Sequence, residues 1–127
     1  MLTGLESGDP RDIRVKIIDF GMSKLTRGKK KINLQTYCGT IDFIAPEILE
    51  GNNYDCSCDN WSVGVLAYFI LSGTPPFYGK SDQEISSKII TCDYQFNEKL
   101  WEPISKDAQN WITRMLEPLP KDRKTNE

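Results

Sequence analysis

Asp19, followed by Phe20 and Gly21, is the residue of this chain best suited to hold a metal ion. An apolar run, Val15 to Ile18 with Lys16 inside it, leads into it and reads as a strand. A carboxylate at a strand end can take a hard cation, and the nearby glycine admits backbone angles that other residues resist. Thr36, Tyr37 and Cys38 then precede Gly39-Thr40, and the stretch closes at Ala45-Pro46-Glu47. Between them Arg27, Lys29, Lys30 and Lys31 cluster with neither helical nor strand spacing, the pattern of a solvated loop. The chain has no histidine, which removes Ser-His and Cys-His nucleophile chemistry from it. Of its 4 cysteines only Cys56-Ser57-Cys58 forms a close pair, at a spacing that fits neither a zinc site nor a redox motif. Reduced thiols in a cytoplasmic protein are the expectation. Asn60-Trp61-Ser62 matches a glycosylation acceptor, but it opens an apolar run and reads as a chance match.

The elements that must position these residues follow from periodicity. Residues 3–12 are rich in turn formers and read as a loop. Ile13, Val15 and Ile17 alternate with Arg14 and Lys16, which predicts a strand over 13–19. A lone strand leaves its backbone unpaired, so its partner must lie upstream or in a hairpin. Pro46 suits a first helical position and Gly51 a stop, which predicts a short helix between them. Residues 59–72 form the strongest helical pattern, with Ser57 or Asp59 as its cap. Val63, Val65, Leu66, Ala67, Phe69, Ile70 and Leu71 surround its axis, which predicts burial on all sides. Gly73 and the Pro75-Pro76 pair end it.

Ser81 with Glu84 has the form of a capping box, and Ile85, Ile89 and Ile90 supply the apolar face of the next helix. A loop carrying Trp101 and Pro103 is expected before a helix capped by Ser105. Ala108, Trp111, Ile112, Met115 and Leu116 then form one core-facing stripe, stopped by Pro118 and Pro120. The 127 residues suffice for about one domain. A hydrophobic content of 39%, a charged content of 27% and a net charge of -2 suit a globular chain and point away from nucleic acid. The polar N-terminus suggests no signal peptide, and the run Val63 to Leu71 is far short of the ~20 residues that span a bilayer, so no membrane partner is expected.

Asp19-Phe20-Gly21, Gly39-Thr40, Ala45-Pro46-Glu47, Asp59-x-Trp61-Ser62-x-Gly64 and Pro120-x-x-Arg123 occur in that order. Together they resemble the C-terminal lobe of a eukaryotic Ser/Thr protein kinase. Phe69 to Gly79 carries a nearer likeness, to the calmodulin-dependent kinase group and to the calcium-dependent protein kinases of plants and protists. The resemblance implies a mainly α, partial protein-kinase-like fold, a helical lobe with a short β element at its N-terminal edge. It covers residues 1–127, with an activation segment at 19–47 and the helical lobe at 48–127.

The resemblance also implies roles. Asp19 would bind the Mg2+ that bridges the phosphates of ATP, the co-substrate. Phe20 would be the apolar plug whose packing separates active from inactive states, with Gly21 next to it in the activation segment. Thr36 stands where many kinases carry an activating phosphate, and Lys24 where a side chain can pair with it. Thr40 would support the catalytic base by a hydrogen bond. Tyr37, Ile41 and Ile44 would line the pocket for the residue after the phosphoacceptor. Glu47 and Arg123 match a buried ion pair, and Asp59 the acceptor that anchors the catalytic loop. Phe69 replaces a Glu that contacts a substrate Arg in cyclic-AMP-dependent kinase, and Phe43 replaces a more usual Tyr.

A Gly-rich loop, an ATP-pairing Lys, the His-Arg-Asp catalytic base and the second magnesium ligand Asn are not in this sequence. They are expected upstream, so no catalytic base is assigned here. The implied partners are ATP, a protein substrate, and a calcium-binding regulatory domain or calmodulin. Alternatives are a pseudokinase-like regulatory or binding module and a truncated product without activity. Asp19 favours the enzyme, since a non-catalytic relative need not keep a metal ligand.

Overall fold

The computed structural model describes residues 2–3, 14–23 and 40–124. β1 (Leu2–Thr3) and β2 (Arg14–Val15) pair antiparallel, with Leu2 opposite Val15 and Thr3 opposite Arg14. The partner that β2 needs thus comes from upstream in the same chain. Among the described residues β2 pairs at Arg14 and Val15, and the expected strand over 13–19 falls short at its far end. Residues 16–19 leave the ladder, so Asp19 stands beyond a strand rather than on its end. Its backbone is left-handed (φ 64, ψ 70), a conformation Asp tolerates better than most, and it caps a 3-10 turn over Phe20–Met22.

The rest is helical. A 3-10 turn over Ile41–Phe43 leads into α1 (Pro46–Leu49), where Pro46 occupies the first turn and loses no helical hydrogen bond. Gly51 follows with φ 70. α2 (Ser57–Ser72) starts earlier than the cap residues suggested. Neither Ser57 nor Asp59 caps it. The cap position is Cys56, and the Asp55 carboxylate accepts from the Ser57 N–H at 2.9 Å. Gly73, at φ 74, closes it by donating to the Phe69 carbonyl at 2.8 Å.

α3 (Asp82–Ile90) begins as its capping residues imply: Ser81 Oγ accepts from the Glu84 N–H at 3.3 Å and the Glu84 carboxylate from the Lys80 N–H at 2.9 Å. The expected loop around Trp101 contains a helical turn, α4 (Glu98–Trp101), capped by Asn97, whose side chain accepts from the Lys99 N–H at 3.1 Å. α5 (Lys106–Met115) is capped by Ser105 and buries Ile112 and Met115, with Leu116 just beyond.

One core joins these elements. Trp61, Val65 and Tyr68 of α2 meet Phe77, Ile89, Trp101, Ile112 and Leu116. Trp61 stacks on Phe77 at 5.6 Å, and Trp101 packs on Tyr68 at 4.7 Å and Phe96 at 4.5 Å. Gly64 lets α2 and α5 approach, since a Cβ there would lie 2.7 Å from Met115 Cβ. The expectation that α2 is buried all round does not hold. Its inward stripe is Trp61, Gly64, Val65 and Tyr68, whereas Val63, Leu66, Phe69, Ile70 and Leu71 are exposed. The described elements pack on one side of α2 and leave the other uncovered.

Candidate functional site

The two ends of the stretch that opened the sequence reading differ in how they are held. At the first end Asp19 Oδ1 accepts from the Gly21 N–H at 3.3 Å, and the side chain is exposed. This local turn fixes the carboxylate's base and leaves its outer face to solvent. Among the described residues no three His, Cys, Asp or Glu side chains gather into a metal cluster. Magnesium asks for less: it keeps several waters and binds one or two carboxylates together with substrate phosphates. The exposed Asp19 carboxylate fits that requirement. Phe20 is 66% exposed, contrary to a packed plug or core residue, because no described helix reaches it.

The second end is rigidly seated. Thr40 is exposed and extended, and its hydroxyl makes no capping bond to the turn that follows. Its carbonyl accepts from the Phe43 N–H at 3.1 Å. Ile41, Asp42 and Phe43 are half-buried, and Ile44 and Ala45 are buried. Ile44 is 8% exposed, so it backs this segment more than it faces a ligand. Ser62 of α2 donates to the Phe43 carbonyl at 2.8 Å and so ties the segment to the central helix.

Below this segment Arg123 gathers the chain. Its Nη1 and Nη2 donate to Glu47 Oε1 and Oε2 at 2.9 and 3.0 Å, a bidentate pair buried on both sides. Nη1 also donates to the Ser57 carbonyl at 2.9 Å and Nε to the Glu117 carbonyl at 3.0 Å. The guanidinium lies 5.2 Å from the centre of the Trp61 ring, a cation–π distance. One side chain therefore joins α1, the start of α2 and the segment after α5.

Asp59 lies in the first turn of α2 and is exposed, where its charge favours the positive end of the helix dipole. The same corner holds Cys58, whose thiol is pushed up to about 12 by burial first, then by the Asp59 and Glu47 carboxylates. Burial likewise raises Cys92 to about 11. Lys24, Thr36 and Tyr37 lie outside the described residues. The structure thus brings Glu47 and Arg123 together, half-buries Ile41, and leaves Thr40, Asp19 and Asp59 exposed. Sequence reasoning placed Ser62 in a motif without giving it a role, and it missed the carbonyls that share Arg123. Polar residues inside the apolar helix, Asn60 and Ser62, were the available signal: Asn60 donates to the Lys124 carbonyl at 3.0 Å.

Comparison with known proteins agrees with the motifs. A family model, the protein kinase domain, matches residues 5–127. A probable myosin light chain kinase of Dictyostelium discoideum is 41% identical over 119 residues, 94% of this chain and 34% of that protein. The calcium/calmodulin-dependent protein kinase type 1B of Homo sapiens is 40% identical over 114 residues, 90% of this chain and 32% of that protein. Among solved structures, the twitchin kinase region from C. elegans aligns with a TM-score of 0.65 at 38% identity, covering 66% of this chain and 15% of that one. The chain spans about a third of the length of the first two relatives.

Proposed function

The chain belongs to the protein kinase domain family, and from that premise we propose that the whole protein transfers the γ-phosphate of ATP to Ser and Thr hydroxyls of protein substrates. The observation that carries this reading is the seated segment 40–47, locked to the helical core through Glu47 and Arg123 while Thr40 stays exposed. Residues 19–47 serve as the activation segment and 48–127 as the helical lobe. Asp19 holds magnesium through its exposed carboxylate. The ion, when bound, offsets charge on the phosphoryl oxygens without reorganisation. Thr40 supports the catalytic base, which lies on another part of the protein, and Asp59 anchors the loop that carries it. Ile41 and Ile44, together with Tyr37, form the pocket for an apolar residue after the phosphoacceptor. Thr36, once phosphorylated, pairs with Lys24 and orders the segment.

Among the described residues no helix is long and apolar enough to cross a membrane; the cytoplasmic place proposed for the protein rests on its kinase membership. Likeness to a calcium/calmodulin-dependent kinase supports calmodulin or a calcium-binding domain as regulator. The test is a chimaera in which this chain replaces the matching residues of the Dictyostelium myosin light chain kinase. It should phosphorylate Ser and Thr peptides with Mg-ATP and not their Tyr counterparts, while the 127-residue chain alone should transfer nothing. An inactive but folded chimaera would count against the reading.

A further inference from the structure

Ser62 sits inside α2, where a serine usually bonds back to its own helix. Here that bond, to the Cys58 carbonyl, is the longer one at 3.3 Å. The shorter, at 2.8 Å, crosses to the Phe43 carbonyl, 19 residues away in sequence. Phe43 ends the 3-10 turn that follows Thr40, and its carbonyl is in a part-buried setting where a lost partner is costly. The turn's own closing bond is from the Ile44 N–H to the Ile41 carbonyl at 3.1 Å. Ile44 and Ala45 press on the core just beyond it, so the Ser62 bond is a polar fastening on an otherwise apolar contact.

We propose that Ser62 is a positioning residue for the substrate-facing segment: its hydroxyl holds the Phe43 carbonyl and so fixes the pose in which Thr40 and Ile41 meet a protein substrate. This rests on the kinase reading of residues 40–44. Ser62 touches no reacting atom; it acts through the backbone of Phe43.

Two measurements test it. In the 127-residue chain, Ser62→Ala should speed amide exchange at Ile44 about fivefold to tenfold, the worth of one hydrogen bond. The Leu116 amide, which donates to the Ile112 carbonyl at 2.8 Å, should not change. Ser62→Thr, which keeps a hydroxyl, should restore the slow rate. An unchanged Ile44 rate, or equal acceleration at Leu116, would overturn the proposal. In the chimaeric kinase, Ser62→Ala should raise KM for a peptide with a large apolar residue after the phosphoacceptor about fivefold, with kcat held within about twofold. KM for ATP should stay put, and Ser62→Thr should rescue. A fall in kcat at constant peptide KM, or no rescue, would also overturn it. A parent chimaera without activity counts against the kinase reading and not against Ser62, whose hold on Phe43 the exchange measurement decides alone.

Discussion

Replacing Arg123 by Met should be among the most damaging single changes in this chain. Arg123 is 2% exposed and Glu47 4%, so neither charge can turn to water when its partner goes. Met keeps most of the apolar stem but removes both bonds to the Glu47 carboxylate and those to the Ser57 and Glu117 carbonyls. Stranding a buried charge in this way costs about 3–5 kcal/mol. Glu47→Gln keeps the shape and leaves Arg123 its backbone carbonyls, so it should cost less, about 1–3 kcal/mol. The double variant Glu47→Leu with Arg123→Met buries no unpaired charge and should lose less than the summed losses of Glu47→Leu and Arg123→Met measured singly. Urea unfolding followed by tryptophan fluorescence reads all of these, since Trp61 lies under the guanidinium. If Arg123→Met leaves the chain unfolded without urea, a double variant that folds still reports the coupling, since it carries the same change and one more. A loss below about 1 kcal/mol for Arg123→Met, or strict additivity, would refute the idea that this pair fastens the segment.

Other expectations follow from local geometry. Gly64→Ala should cost about 1–3 kcal/mol by overpacking, because its Cβ would meet Met115 at 2.7 Å and Leu116 at 3.0 Å. Gly51→Ala meets no atom within 4 Å, and its cost of about 1–2 kcal/mol comes from φ 70 alone; parallel melting curves compare the two. Burial raises Cys58 from 9.0 to about 12 and Cys92 from 9.0 to about 11, so both thiols stay protonated in the fold. A raised folded value means this contribution to stability is full below pH 9.0 and declines as pH rises toward 11 and 12, which unfolding at stepped pH should show. At pH 8 iodoacetamide should label the exposed Cys56 well before Cys58 or Cys92.

What could be read from the sequence depended on whether local chemistry decided the outcome. Ser81 and Ser105 cap helices through bonds to backbone N–H groups three residues on, and the pattern states this outright. The stripe on α5 was legible for the same reason: Ile112, Met115 and Leu116 follow one face and that face is buried. α2 was misread because an apolar circumference records what a helix can bury, not which neighbours cover it here. α4 was missed since one turn of helix is too short to show a period, although Asn97 before Glu98 is a start signal. The strand was overdrawn at its far end, because alternation does not say where pairing stops and residues 16–19 leave the ladder after Val15. At the site, the Glu47–Arg123 contact spans 76 residues of sequence and came only from the motif resemblance; no periodicity encodes it. Ser62 stands in the Asp59-x-Trp61-Ser62-x-Gly64 motif, but nothing in that motif says its hydroxyl reaches Phe43.

The proposed role of Asp19 is to serve phosphoryl transfer by holding magnesium. The most direct measurement is Mg-ATP-dependent labelling of a Ser/Thr peptide by the chimaeric kinase and by its Asp19→Asn variant, with folding checked by circular dichroism. The parent should turn over, and Asp19→Asn should lose at least about 100-fold in kcat, the scale of removing one electrostatic stabiliser. A folded Asp19→Asn variant that keeps the parent's rate would contradict it.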